Sequence, residues 1–126
     1  IADFSKAIEL DPDYAEAYNN RGLAKDNLKD YEGAIVDFSK AIELDPNPAV
    51  AYYNRGVAKF WLNNHYGAIA DFNKAIELDP DNTRAYNNRG ASKYNLGDKN
   101  GACSDWRIAT KMESTSAQDN LRKYCN

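Results

Sequence analysis

The side chains able to do chemistry in this chain recur at a fixed interval. Asn20, Asn54 and Asn88 stand 34 residues apart, and so do Arg21, Arg55 and Arg89 beside them. A side-chain amide both donates and accepts, so a row of asparagines can match the N–H and C=O groups of a peptide backbone. Asp37, Asp71 and Asp105 keep the same interval, with Asp3 ahead of them. Guanidinium and carboxylate in this register predict a repeated Arg–Asp bridge between helices, and an exposed pair of that kind contributes about 0–1 kcal/mol.

Other chemistry is thinly supplied. His65 is the only histidine and has no Cys or carboxylate cluster at metal-ligand spacing around it, so a surface histidine is expected and no metal. Asp11 with Asp13, and Asp79 with Asp81, flank a proline without the pattern of a calcium loop. There is no glycine-rich phosphate loop and no nucleophile–base pair, so neither an enzyme nor a cofactor is expected.

The elements that position these residues repeat with them. Ala17-Tyr18-Asn19-Asn20-Arg21-Gly22 returns as Ala51–Gly56 and Ala85–Gly90, and Phe38–Pro46 returns as Phe72–Pro80. A period of 34 residues marks an array of one small unit. Apolar residues at Ala34, Phe38, Ala41 and Ile42 follow i, i+4, i+7, i+8, one face of an amphipathic helix. Each Asp-Pro ends such a helix, because the residue before proline is pushed out of the helical region. Residues 1–14 therefore read as the second helix of a partial unit, 15–48, 49–82 and 83–116 as units, and 117–126 as a capping helix. In the unit at 15–48 the helices are expected near 15–28 and 31–44. Gly22 stands where they cross closest, and a side chain on any of the three crossing glycines overpacks the contact. Thr115 and Gln118 have the spacing of a capping box, which sets Thr115 as N-cap of the last helix.

Bulk composition narrows the class. Sixteen Lys and Arg against nineteen Asp and Glu leave a net charge of −3, mixed along the chain. That balance lacks the basic face of a nucleic-acid binder, and no apolar run approaches the roughly 20 residues of a membrane span. Cys103 and Cys125 are the only cysteines. Cys103 stands at the place held by Ile35 and Ile69, facing the next helix, and Cys125 ends that helix. A bond between them closes a loop of about 22 residues, worth about 3 kcal/mol in the chain-entropy model. Two buried free thiols are the alternative, and the sequence leaves both open. A bonded pair implies an oxidising compartment and a free pair a cytoplasmic one.

Written as a pattern, each unit is Tyr-x2-Arg-Gly-x2-Lys, then Ala-x3-aromatic, then Asp-Pro in all but the last. This resembles the tetratricopeptide repeat, with Tyr for the consensus Trp, Arg21, Arg55 and Arg89 for Leu, and Lys25, Lys59 and Lys93 for Tyr. The resemblance implies an all-α, right-handed superhelical solenoid of antiparallel helix pairs. It also implies a concave groove, lined by first helices, that binds a peptide or protein partner. Carried over residue by residue, the groove takes Asn19, Asn20, Tyr53, Asn54, Phe60, Trp61, Arg84, Asn87, Asn88 and Tyr94. Clustered exposed aromatics are what binding hot spots are made of, and the middle unit has three. Phe60 and Trp61 are adjacent on one helix, point about 100° apart and cannot both pack inward. The competing expectation is that one of them fills a seam and the asparagines merely suit a solvated surface. One subset of the family clamps a pair of C-terminal carboxylates; only Asn54 and Arg84 match it, with Asn19, Leu23 and Asn88 at the other places. The alternative function is self-assembly, with Phe4, Ala7 and Ile8 exposed on the first helix as the face of a homo-oligomer.

Overall fold

The computed structural model describes residues 1–126 as eight helices and no strand: α1 (Ala2–Leu10), α2 (Ala15–Asn27), α3 (Tyr31–Leu44), α4 (Ala49–Trp61), α5 (His65–Leu78), α6 (Thr83–Asn95), α7 (Lys99–Lys111) and α8 (Thr115–Tyr124). Each helix packs on its neighbours in sequence, and α2 also touches α4, as α4 touches α6. The result is a helical-repeat solenoid. No helix is long and apolar enough to cross a membrane.

Local sequence sets each boundary. Asp11, Asp45 and Asp79 close α1, α3 and α5, each directly ahead of a proline. Within a unit the turn is tighter. Lys29, Asn63 and Gly97 take left-handed φ of 63°, 61° and 87°. The next residue, Asp30, Asn64 or Asp98, then accepts from the backbone N–H of Gly33, Gly67 or Gly101 as an N-cap. A left-handed residue followed by an oxygen-bearing cap satisfies orphan groups at both helix ends.

The last turn departs from the expectation. Glu113 takes φ 69° and Ser114, not Thr115, is the N-cap of α8, its Oγ accepting from the N–H of Ala117 at 3.1 Å. The junction of α7 and α8 thus repeats the tight turn found inside a unit rather than the Asp-Pro link between units. Without the proline, α7 can end through a left-handed residue, and α8 starts early enough to make Ser114 its cap.

The core is a row of glycine–aromatic crossings. A Cβ on Gly22 would meet the Phe38 ring at 2.6 Å, one on Gly56 would meet Phe72 at 2.7 Å, and one on Gly90 would meet Trp106 Nε1 at 2.7 Å. Phe38, Phe72 and Trp106 are fully buried there, and the Trp106 indole N–H donates to the backbone oxygen of Asn87 at 3.1 Å.

Arg–Asp pairing occurs inside each unit, but the exposed bridge expected from sequence is corrected by burial. Asp37, Asp71 and Asp105 are 1%, 3% and 2% exposed. Each accepts two hydrogen bonds from its arginine, at 2.8 and 2.7 Å for Arg21–Asp37 and for Arg55–Asp71. Lys25, Lys59 and Lys93 close on the same carboxylates at 3.0–3.1 Å. The substituted Arg and Lys positions are therefore one three-residue device. Each arginine also reaches back to the preceding second helix, at Ser5, Ser39 or Asn73, and lies over a tyrosine ring of its own helix.

Two further expectations are corrected. Phe4, Ala7 and Ile8 are half-buried rather than exposed, because α2 packs over part of that face. His65 is half-buried rather than a free surface residue: its ring lies edge-on to Phe60 at 5.1 Å, with Nδ1 buried and unpartnered.

Candidate binding groove

The first helices α2, α4 and α6 stand side by side, so residues close to one period apart, here 35 or 33 positions, become neighbours across a seam. Asn54 Nδ2 donates to Asn19 Oδ1 at 3.1 Å between α2 and α4. Asn88 Nδ2 donates to the Tyr53 hydroxyl at 3.0 Å between α4 and α6. Asn120 Nδ2 donates to Asn87 Oδ1 at 3.3 Å between α8 and α6. The asparagines thus form rungs that join the helices, which uses part of their hydrogen-bonding capacity and fixes their orientation. Asn20 is half-buried and makes no side-chain hydrogen bond.

The middle unit is apolar where its neighbours are polar. Phe60 turns inward and packs on the cluster of Ala68, Phe72 and Ala85 with Tyr53 and Val57. Trp61 stays 58% exposed and meets Phe60 edge-on at 5.3 Å. Of the two adjacent aromatics, one fills the seam and the other faces solvent. Between them opens a recess of about 110 Å³, lined by Val57, Phe60, Trp61, Phe72 and Asn88.

Charge is uneven along the array. A cleft of about 290 Å³ between the first two units carries Glu16 and Asp45 beside Asn19 and Val50. Another of about 360 Å³, at the junction of α6 with the α7–α8 turn, carries Arg84, Asn87, Glu113 and Thr115. Burial raises the Tyr53 hydroxyl above its ordinary value, against the opposing charge of exposed Arg84 and the Asn88 hydrogen bond. Asp26 stands at the place of Phe60 and Tyr94 in the first unit; burial raises its carboxyl, and Oδ1 has no partner.

Tyr94 does not stand free in the groove. Its ring packs on Trp106 at 5.9 Å and on Tyr124 at 4.6 Å, so it belongs equally to the seam under α8. The contribution of α8 through Asn120 and Tyr124 was not read from the sequence. The sequence signal for it is the serine one residue ahead of the Thr115–Gln118 spacing, since Ser114 as N-cap sets the start of α8.

A tetratricopeptide repeat family model matches residues 15–48 and again 49–82, a second of the same description matches 72–103, and a TPR repeat model matches 1–26. The chain belongs to the tetratricopeptide repeat family. Solved tetratricopeptide repeat domains share its fold. The Arabidopsis OM64 TPR domain superposes with a TM-score of 0.85 at 27% identity, covering 87% of this chain and 93% of that one. The first TPR of Spaghetti (RPAP3), bound to the HSP90 peptide SRMEEVD, has a TM-score of 0.85 at 29% identity, covering 88% and 90%. The second TPR domain of human RPAP3, in complex with the HSP70 peptide SGPTIEEVD, has a TM-score of 0.84 at 27% identity, covering 89% and 95%. No curated protein sequence matches the chain.

Proposed function

We propose that this tetratricopeptide repeat domain is a non-enzymatic scaffold whose concave groove holds a segment of a partner protein. The observation that carries this reading is the break in the repeat at α4. An exposed Trp61 and a recess beside Phe60 stand among amide rungs, where the flanking units have Asn27 and Asn95 in place of Trp61. An apolar side chain of the partner fills the recess, while free amide lone pairs and N–H groups along the rungs hold its backbone. The peptide complexes of the RPAP3 domains support a peptide-binding role in general. They do not extend to the same ligand. Of the carboxylate-clamp positions only Asn54 and Arg84 match, Asn19 and Asn88 hold other contacts, and a single cation balances two carboxylates poorly.

Selection of peptides from a random library on the intact chain tests this. Selected peptides are expected to lose at least ~10-fold in affinity with Trp61→Ala or Tyr53→Ala, the scale of an interface hot spot. Peptides indifferent to both changes would overturn the groove reading. The peptide SRMEEVD is expected to bind more weakly than the selected ones.

A second reading, self-association, rests on α1. Phe4 and Ala7 keep partial exposure where the corresponding Phe38, Ala41, Phe72 and Ala75 are covered.

A further inference from the structure

The tie between successive units stops before α8, and a covalent tie takes its place. Arg21, Arg55 and Arg89 each reach back to an acceptor on the preceding second helix, at Ser5, Ser39 and Asn73. One period on, the acceptor place holds Arg107, a cation that no further arginine can approach. Accordingly, α8 brings no ion pair to the rest of the chain; its Arg122 pairs only with its own Asp119. Ala117 is the one fully buried residue of α8. Beyond the packing of Ala117, Leu121 and Tyr124 on α7, what joins α8 to α7 is the bond between Cys103 and Cys125, whose Cα atoms lie 5.9 Å apart.

The same helix completes the C-terminal end of the groove. Tyr124 packs on Tyr94 and Trp106, and Asn120 donates to Asn87. A helix of ten residues is marginal in water by itself, so α8 stays folded only while docked. We propose that the Cys103–Cys125 bond is a redox latch: reduction releases α8, uncovers the Trp106–Tyr94 seam and frees Asn87 and Tyr94. The effect on ligand binding rests on the groove reading above, whereas release of the helix does not.

The step is an ordinary thiol–disulfide exchange with a dithiol reductant. Its thiolate attacks Sγ of Cys125, the more exposed of the pair, and the Cys103 sulfur leaves as a thiolate and takes up a proton. The second thiol of the reagent then attacks the mixed disulfide and releases Cys125 as a thiol. The protein disulfide gains two electrons and two protons, and the dithiol becomes a cyclic disulfide.

Hydrogen exchange of the intact chain, before and after dithiothreitol, tests the latch. Removing the constraint of a 22-residue separation corresponds to roughly a 100-fold rise in opening. Amides of α8 are expected to exchange faster by about that factor, those of α2–α5 to stay unchanged, and Cys125→Ser to behave like reduced protein without reductant. Unchanged α8 protection in both reduced and Cys125→Ser protein would overturn the proposal. So would acceleration spread evenly over all helices, or two titratable thiols in never-reduced protein. A library-selected peptide supplies the second readout. Weaker binding after reduction supports the link to the groove, and unchanged binding beside a released α8 overturns that link alone. Failure to select any peptide sinks the groove reading and leaves the exchange result standing.

Discussion

Ser92 occupies the place of Ala24 and Ala58 in the preceding units and is fully buried, with its hydroxyl unpartnered. A buried hydroxyl without a partner costs about 1–3 kcal/mol. Ser92→Ala removes that penalty without leaving a large void and is expected to stabilise the chain by about 1 kcal/mol, read as a higher urea midpoint. Asp26 presents the same problem with a charge. Its carboxyl is raised by burial, so the folded protein holds that proton more tightly than the unfolded chain. The sign follows from linkage: stability is fully present below the unfolded value of about 3.9 and declines as pH rises through the higher folded value. Asp26→Phe restores the residue type found at Phe60. Its stabilisation, measured by thermal melts across pH, is expected to be larger at pH 7 than at pH 4. Neither cost can be read from the residue type, because serine and aspartate at these places are free of penalty until a neighbouring helix covers them.

Between elements, the decisive contact is the Arg–Asp–Lys group. A carboxylate at 1–3% exposure between two cations differs in kind from a surface pair. Asp71→Ala leaves Arg55 and Lys59 half-buried and uncompensated, and is expected to cost about 3–5 kcal/mol. A double-mutant cycle of Arg55→Ala with Asp71→Ala is expected to give coupling well above 1 kcal/mol, beyond the range of exposed pairs. Absence of coupling in chemical denaturation would return the pair to a surface role. For Asp37 the pH dependence runs opposite to that of Asp26. Burial raises its carboxyl, but hydrogen bonds from Arg21 and Lys25 outweigh this and hold it below the ordinary value. Its contribution is therefore present above about pH 4 and is lost as pH falls through the lower folded value. The spacing of 16 residues between each Arg and Asp was legible in the sequence, as was the glycine under each aromatic. The burial of the pair was not, because it depends on how closely α2 approaches α3.

At the scale of the whole array, α8 packs on α7 at one end and α1 presents a half-buried face at the other. If α1 mediates self-association, the apparent mass in light scattering rises with concentration, and Phe4→Glu abolishes the rise. A constant monomer mass would remove that reading and leave the groove as the one interaction surface under test. Local sequence determined the unit, its helices and its glycine–aromatic crossings, because these rest on short-range rules of turn, cap and helical period. Its repetition also told which groups of side chains come together as neighbours at each seam, but not the pairs they form, which are 35 or 33 residues apart rather than 34. Only the tertiary structure decided how those neighbours spend their chemistry. It turned Phe60 inward and left Trp61 in solvent, tied Asn54 to Asn19 and Asn88 to Tyr53, and set α8 against Asn87 and Tyr94. The reason is physical: a rotation of one helix about its axis exchanges a buried side chain for an exposed one, and that rotation is fixed by packing between units rather than by residues within one.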